Sequence, residues 1–261
     1  MSSGQDAAGV SAERVTAASG LGRYGGLDDP GGRVARGRRI ALAFGAIGNL
    51  DLGVSRVLDI GCSAGLIAIE LATHAGSVIG IDVDGEAVRY AANATESEAS
   101  PRFLVASGMA LPFRDASYDA VVCNHVYEHT SDPYQLMAEI RRVLRPGGLC
   151  YFAAGHTLQL VEPHHRLPLL SWMPRRAADA WVRTLGRGRC YEEKFLPPWR
   201  LHQLFEGFSS TRFISPLMLR EPGRFGLAKL AAMPAVVRAI LAISSDLAAR
   251  LAPTWIWLLR R

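Results

Sequence analysis

Apolar positions along the first two thirds of the chain alternate between two kinds of pattern. Arg56 to Ile60, Ser77 to Asp82, Arg102 to Ala106, Tyr118 to Asn124 and Leu149 to Ala154 are short apolar runs, suited to strands buried on both faces. Between them, Leu66 to His74, Gly85 to Thr95 and Pro133 to Leu144 carry apolar side chains every three or four positions, as a helix with one buried face does. Pro146-Gly147-Gly148 reads as the stop of the last of these helices. A further helix is predicted over about Val34 to Asn49, where Ile40, Leu42, Ala43, Phe44 and Ile47 form an apolar stripe. Strand and helix alternate, which predicts an α/β fold built on a parallel, doubly wound sheet.

Both ends of the chain depart from this alternation. Met1 to Gly32 is rich in Ser, Gly, Ala and Asp without apolar periodicity and reads as a mobile arm ending near Asp28 to Gly32. Leu158 to Pro198 is rich in proline and arginine, and Leu227 to Leu251 is an apolar helical stretch interrupted only by Lys229, Pro234, Arg238, Asp246 and Arg250. Thr211 to Ser215 and Thr254 to Leu259 have strand composition and are expected to complete the sheet as its final pair. The expected organisation is an arm over 1–32 and one domain over 33–261. That domain divides into a binding core at 54–155, an insertion at 156–200, a helical elaboration at 216–252 and a last strand at 253–260.

Composition narrows the classes. With 261 residues, 49% hydrophobic and 20% charged, the chain has ordinary globular content, which excludes a wholly disordered or collagen-like protein. The net charge of +5 comes from scattered arginines such as Arg33 to Arg39 and Arg175 to Arg189, which do not interleave aromatics in a way that suggests base stacking, and these are read as solvated. Cys62, Cys123, Cys150 and Cys190 form no C-x-x-C pair and no metal-like spacing with histidine, which fits a reduced, cytoplasmic setting. No signal-peptide pattern opens the chain, and no uncharged apolar run reaches the roughly 20 residues of a membrane span. His164 and His165, adjacent on an extended segment, point opposite ways and are read with Glu162 as structural or pocket residues, so no metal is expected.

The sharpest chemical signal is VLDIGCSAG, Val57 to Gly65, an apolar strand ending in an acid and a glycine-containing turn that opens a helix. Gly61 and Gly65 would let backbone approach a ligand closely, and the helix start would aim unpaired N–H groups at it. Gly-Cys-Ser-Ala-Gly lacks the G-x-G-x-x-G spacing that suits a pyrophosphate. Asp59 suits a cationic group such as an α-amino group. Asp82 closes the second strand about 20 residues beyond Gly61, where an acid accepts both ribose hydroxyls in dinucleotide-binding folds. The pair points to an adenosyl compound with an amino-acid tail.

Four segments, VLDIGCSAG, GIDVDGEAV, MALPFRDASYDAVVCNHVYEH and EIRRVLRPGGLCYF, resemble in order and spacing the class I S-adenosylmethionine-dependent methyltransferases, specifically the small-molecule branch called methyltransferase type 11. The likeness spans roughly Arg56 to Ala154. It implies a Rossmann-like, mostly parallel seven-stranded sheet with an antiparallel last strand, an α-helical C-terminal elaboration, and S-adenosyl-L-methionine as cofactor. It implies that Asp59, Gly61, Cys62 and Gly65 surround the methionine part, that Asp82 and Val83 clamp ribose and adenine, and that Ser107, Gly108 and Met109 flank the adenine. Ser107 departs from the family's usual Asp, and a neutral acceptor there makes a weaker bond. Asn124 and His125 end the fourth strand beside the expected methyl position.

An acceptor hydroxyl must lose its proton, and His125, His129 and His156 are the candidate bases. His129 also has a bland reading, as a residue that packs and bonds to backbone. The segment after the fourth strand reads NHVYEH rather than the N-P-P-Y type of methylases acting on DNA amines, so nucleic acid is not expected as a partner. The insertion, with Leu167, Leu169, Leu170, Trp172 and Met173 among prolines and arginines, reads either as a lid over a bulky, partly apolar acceptor or as packing against the sheet. The expected function is methylation, with oxygen weakly favoured over nitrogen or carbon, of a small-molecule or lipid-like metabolite in a biosynthetic route. The rival is a non-catalytic subunit that binds the cofactor or another protein. Residues 227–251 leave three roles open: core packing, a homodimer interface, and peripheral contact at the inner membrane face with Arg238 and Arg250 near headgroups.

Overall fold

A computed structural model describes residues 29–95, 101–159, 161–162, 167–186, 190–191 and 194–261. Helix α1 (Pro30–Leu42) runs into a π-turn at Ala43–Ile47 and a 3-10 turn at Leu52–Val54. Then follow β1 (Arg56–Ile60), α2 (Leu66–Ala72), β2 (Ser77–Asp82), α3 (Gly85–Asn93), β3 (Arg102–Val105), β4 (Tyr118–Asn124), a 3-10 turn (Tyr127–His129), α4 (Pro133–Val143) and β5 (Leu144–Ala154). The later part holds β6 (Val161–Glu162), β7 (Leu167–Pro168), α5 (Arg175–Thr184), α6 (Pro198–Gln203), β8 (Ser210–Phe213), α7 (Ser215–Arg220), α8 (Ala228–Ala231), α9 (Ala235–Ile243), α10 (Ser245–Leu251) and β9 (Trp255–Arg260).

Seven strands form one sheet in the order β3-β2-β1-β4-β5-β9-β8, and β6 pairs with β7 separately. Every pairing from β3 to β5 is parallel, while β9 runs antiparallel to both of its neighbours. The Rossmann-like, mostly parallel sheet is thus present, with the last strand inserted between β5 and β8. Its two faces are covered from opposite sides, as the continuous apolar runs require. Along β4, Val121 and Cys123 join α4 and α6 in one core with Leu136, Ile140, Leu201 and Phe205. Ala120 and Val122 face the other core, with Ile40, Phe44, Ile67, Leu71 and Met218 from α1, α2 and α7.

Helix starts follow local chemistry. Asp84 and Asp132 each accept two backbone N–H bonds as N-caps of α3 and α4, and Pro133 stands in the first turn, where its missing donor costs nothing. The same signature moves the first boundary. Asp29 accepts from Gly32 N at 3.0 Å and Pro30 opens α1, so 30–32 are helical and not arm. The remainder of the expected arm, 1–28, lies outside the described residues. Two further boundaries differ from expectation. The Pro146-Gly147-Gly148 run lies inside β5, which begins directly after α4, with a register shift between Tyr118 and Ala120 absorbing the irregular start. The apolar stretch 227–251 is three short helices, interrupted by Pro234, which lacks an N–H, and by Ser244, whose hydroxyl bonds to Ile240 O at 2.7 Å.

The insertion has a small core of its own, Leu167, Leu170, Ala178, Val182 and Tyr191, with Met173 and Phe195 against it. Its return segment is tied to the loop after β4. Lys194 N donates to Glu128 O at 3.0 Å, and Leu196 N donates to the Tyr127 hydroxyl at 3.1 Å. His164 and His165 lie outside the described residues, whereas Glu162 is buried in β6.

Candidate active site

The parallel pairing brings Asp59, Asp82 and Asn124 to one edge of the sheet, since Ile60 lies opposite both Ile81 and Cys123 in register. At that edge Gly61 N and Cys62 N both donate to Ile81 O, at 2.8 and 2.9 Å, which turns the chain sharply after β1. Gly61 and Gly65 take φ of +71° and +80°, a region that penalises side chains. A methyl added at Gly61 would stand 2.6 Å from Val126 Cγ2, and one at Gly65 would stand 2.6 Å from Phe103 Cζ and 2.8 Å from Ala91 Cβ. The close approach these glycines allow in this structure is therefore to protein neighbours, which seat the turn between β3, α3 and the loop after β4.

Asp59 is buried and its Oδ2 has no hydrogen-bond partner. Burial raises its carboxyl to about 7, opposed by the nearby Arg33 guanidinium and reinforced by Asp82. An unsatisfied buried acceptor is costly, and a cationic donor placed against it would remove the penalty. Asp82 is half-exposed and organised by backbone, accepting from Ser63 N at 2.9 Å and Asp84 N at 3.0 Å through different oxygens. Each oxygen retains a lone pair for a ribose hydroxyl. Val83, next along the chain, is 73% exposed, an apolar surface against which a base can lie. The donor set therefore fits an adenosyl amino acid.

Ser107 hydroxyl accepts from Met109 N at 3.2 Å, so it shapes the turn after β3. Gly108 packs under Leu136 and Ile60, where a side chain would collide at 2.8 and 2.9 Å. Met109 is held by Gln135, which donates to its carbonyl at 3.3 Å. Burial pushes the Cys62, Cys123 and Cys150 thiols well above their ordinary range, which keeps them protonated and poor nucleophiles.

The three histidines occupy different settings. His125 follows β4 with φ +56°, a left-handed conformation rare outside glycine, and its N–H donates to Ala153 O at 2.9 Å. Its Nδ1 lies 2.8 Å from Glu128 Oε1, and its Nε2 lies 3.2 Å from the Thr254 hydroxyl. Glu128 is fully buried with Oε2 unpartnered. A carboxylate there accepts the hydrogen of Nδ1, the tautomer that leaves Nε2 with the lone pair. His129 is exposed on the outside of the same 3-10 turn. His156 is sealed, stacked on Trp255 at 4.1 Å between centroids and donating from Nε2 to Ala252 O at 2.8 Å; burial lowers its pKa. Arg33, Glu128 and Thr254 were not singled out by sequence reasoning. Only Glu128 carried a local signal, three positions after His125 in a turn.

Comparison with known proteins agrees with this geometry. Residues 58–152 match a family profile described as "Methyltransferase domain". The match runs from β1 to β5, the parallel part of the sheet that carries Asp59, Asp82 and Asn124. An uncharacterized methyltransferase of Mycolicibacterium vanbaalenii is 34% identical over 143 residues, 54% of each chain. A ubiquinone biosynthesis O-methyltransferase of Xanthomonas oryzae is 32% identical over 154 residues, 58% of this chain and 61% of that protein. The chain thus spans about half to three fifths of the length of these curated relatives. An S-adenosylmethionine-dependent methyltransferase structure from Methanosarcina mazei superposes with a TM-score of 0.50 at 25% identity, covering 64% of this chain and 87% of its own. Among the described residues, no group of three His, Cys, Asp or Glu could hold a metal ion.

Proposed function

We propose that this protein transfers the methyl group of S-adenosylmethionine to a hydroxyl of a small or lipid-like metabolite in a biosynthetic route. The observation that carries the cofactor half is the unpartnered, buried Asp59 Oδ2 beside the backbone-organised Asp82. When bound, the cofactor supplies an electrophilic methyl on a sulfonium. Asp59 accepts from the α-amino group, with Arg33 close by for the α-carboxylate, and Asp82 accepts from the ribose hydroxyls beside Val83.

Oxygen as the acceptor atom is supported by the His125–Glu128 pair. Glu128 holds Nδ1–H and balances the imidazolium that forms when Nε2 takes the acceptor's proton. The Thr254 hydroxyl, 3.2 Å from Nε2, marks the spot from which an alcohol or phenol would present that proton. The insertion at 156–200, with a core of its own and a return strap over Glu128, suits a lid that selects the acceptor. The named activity of the Xanthomonas relative favours the same atom. Methyl-labelled cofactor incubated with candidate metabolite pools, followed by mass spectrometry, tests the reading. A labelled O-methyl product supports it; tight S-adenosylhomocysteine binding without transfer into any pool would favour the non-catalytic subunit, and a labelled nitrogen or carbon would overturn the choice of oxygen.

A further inference from the structure

The methyl-transfer site leaves one large feature unused, an apolar surface on the C-terminal helices. Met233, Val236, Val237, Ile240, Ile243 and Leu247 are all exposed, Val236 by 71% and Ile243 by 87%. Positions 236, 240 and 243 keep the three- and four-residue spacing of one face of α9, and Leu247 is exposed on α10. Both helices are fixed to the body of the protein. They pack on α7, and Arg220 of α7 bonds to Ser245 at 2.6 Å and Asp246 at 2.8 Å. Contiguous exposed apolar surface of this kind marks a binding face.

Charge names the occupant. Residues 156–252 hold fourteen Lys and Arg against seven Asp and Glu, an excess of seven, although the whole chain carries only +5. The rest of the chain is therefore net acidic, and all of the positive excess belongs to the segment bearing the apolar stripe. The helical elaboration at 216–252, which carries the stripe, itself holds five Lys and Arg against two Asp and Glu, a basic balance that suits an anionic surface. Trp172 and Trp181 of the insertion are also exposed, and tryptophan favours the boundary between lipid tails and water. No helix among the described residues is long and apolar enough to cross a membrane, so the geometry is that of a helix lying in the interface. The stripe also lies near the reaction edge. β8 runs parallel to β5 into α7, and α10 leads into β9 beside His156, whose ring bonds to Ala252 O.

We propose that the α9–α10 stripe docks this protein on an anionic phospholipid surface, with the sheet edge that carries Asp59 and Asp82 close to the lipid. The docking stands independently of the methyl-transfer reading; delivery of a lipid-like acceptor to His125 rests on it. Flotation of the full chain with vesicles of phosphatidylcholine alone or with added phosphatidylglycerol tests the docking. We expect flotation only with the anionic vesicles, weakened by added salt. Val236→Asp/Ile240→Asp/Ile243→Asp should cut the floated fraction at least about tenfold while S-adenosylhomocysteine affinity stays unchanged. Wild-type protein that stays at the bottom with anionic vesicles, or a triple variant that floats as wild type does, overturns the proposal. So does a wild-type dimer in light scattering that the triple variant turns into monomers while vesicles capture neither. Flotation together with loss of all cofactor binding would sink the methyl-transfer reading and leave the docking standing.

Discussion

Asp59 shows a stability cost placed where a ligand can relieve it. Its folded carboxyl, raised from 3.8 to about 7 by burial, keeps its proton while an unfolded chain would release it. Below the unfolded value both states are protonated and the cost vanishes; as pH rises toward 7 the unfolded state is favoured progressively, and above 7 the penalty is constant. Asp59→Asn should therefore raise the thermal midpoint at pH 8, with the gain shrinking to nothing near pH 4, by an amount on the order of a few kcal/mol at most. The same variant should lose cofactor affinity. In wild type, S-adenosylhomocysteine affinity measured by calorimetry should fall as pH drops below about 7, because Asp59 must shed its proton to accept an ammonium group. Asp82→Ala should weaken that binding at least about tenfold, since two charge-assisted bonds disappear. Unaltered affinity in Asp82→Ala would place the ribose elsewhere. For His125→Ala and Glu128→Gln we expect kcat to fall by roughly 100-fold or more with S-adenosylhomocysteine affinity unchanged, since both act on the acceptor's proton. Equal losses in cofactor affinity would instead mark them as structural.

At the scale of elements, legibility followed the number of neighbours a segment must satisfy locally. β1, β2 and β4 lie where the apolar runs put them, because a strand covered on both faces has no freedom to be anything but apolar. The edge strand β3 ends one residue before the expected Ala106, although Ala106 N still donates to Asp82 O at 3.0 Å as the chain turns away. The 227–251 stretch was legible as apolar but not as three helices, because composition there reports hydrophobicity while Pro234 and Ser244 decide continuity. The turn after β1 was legible as a glycine turn, but its glycines make room for Val126, Phe103 and Ala91, which no local pattern names. Gly61→Ala should thus cost stability, about 1 to 3 kcal/mol in chemical denaturation, from both φ +71° and the collision with Val126.

The whole molecule shows what a linear reading could not assemble. Asp59 and Asp82 were accessible because a parallel sheet brings successive strand ends together by rule. Arg33, Glu128 and Thr254 were not, because they reach the same edge from α1, from a 3-10 turn and from the start of β9, and only the folded chain brings them together. The charge distribution is the reverse case: it was in the sequence all along, yet gained meaning only once the basic segment proved to carry the exposed stripe.

Thr254 stands 129 positions from the histidine it touches, at the entry to a strand wedged between two others. A polypeptide that has assembled β1 to β5 but not yet taken up β9 would already possess the donor cradle while lacking the wall beside its base. On the proposed mechanism, turnover then waits on completion of the sheet, and partly folded or proteolytically clipped molecules would hold the donor without spending it.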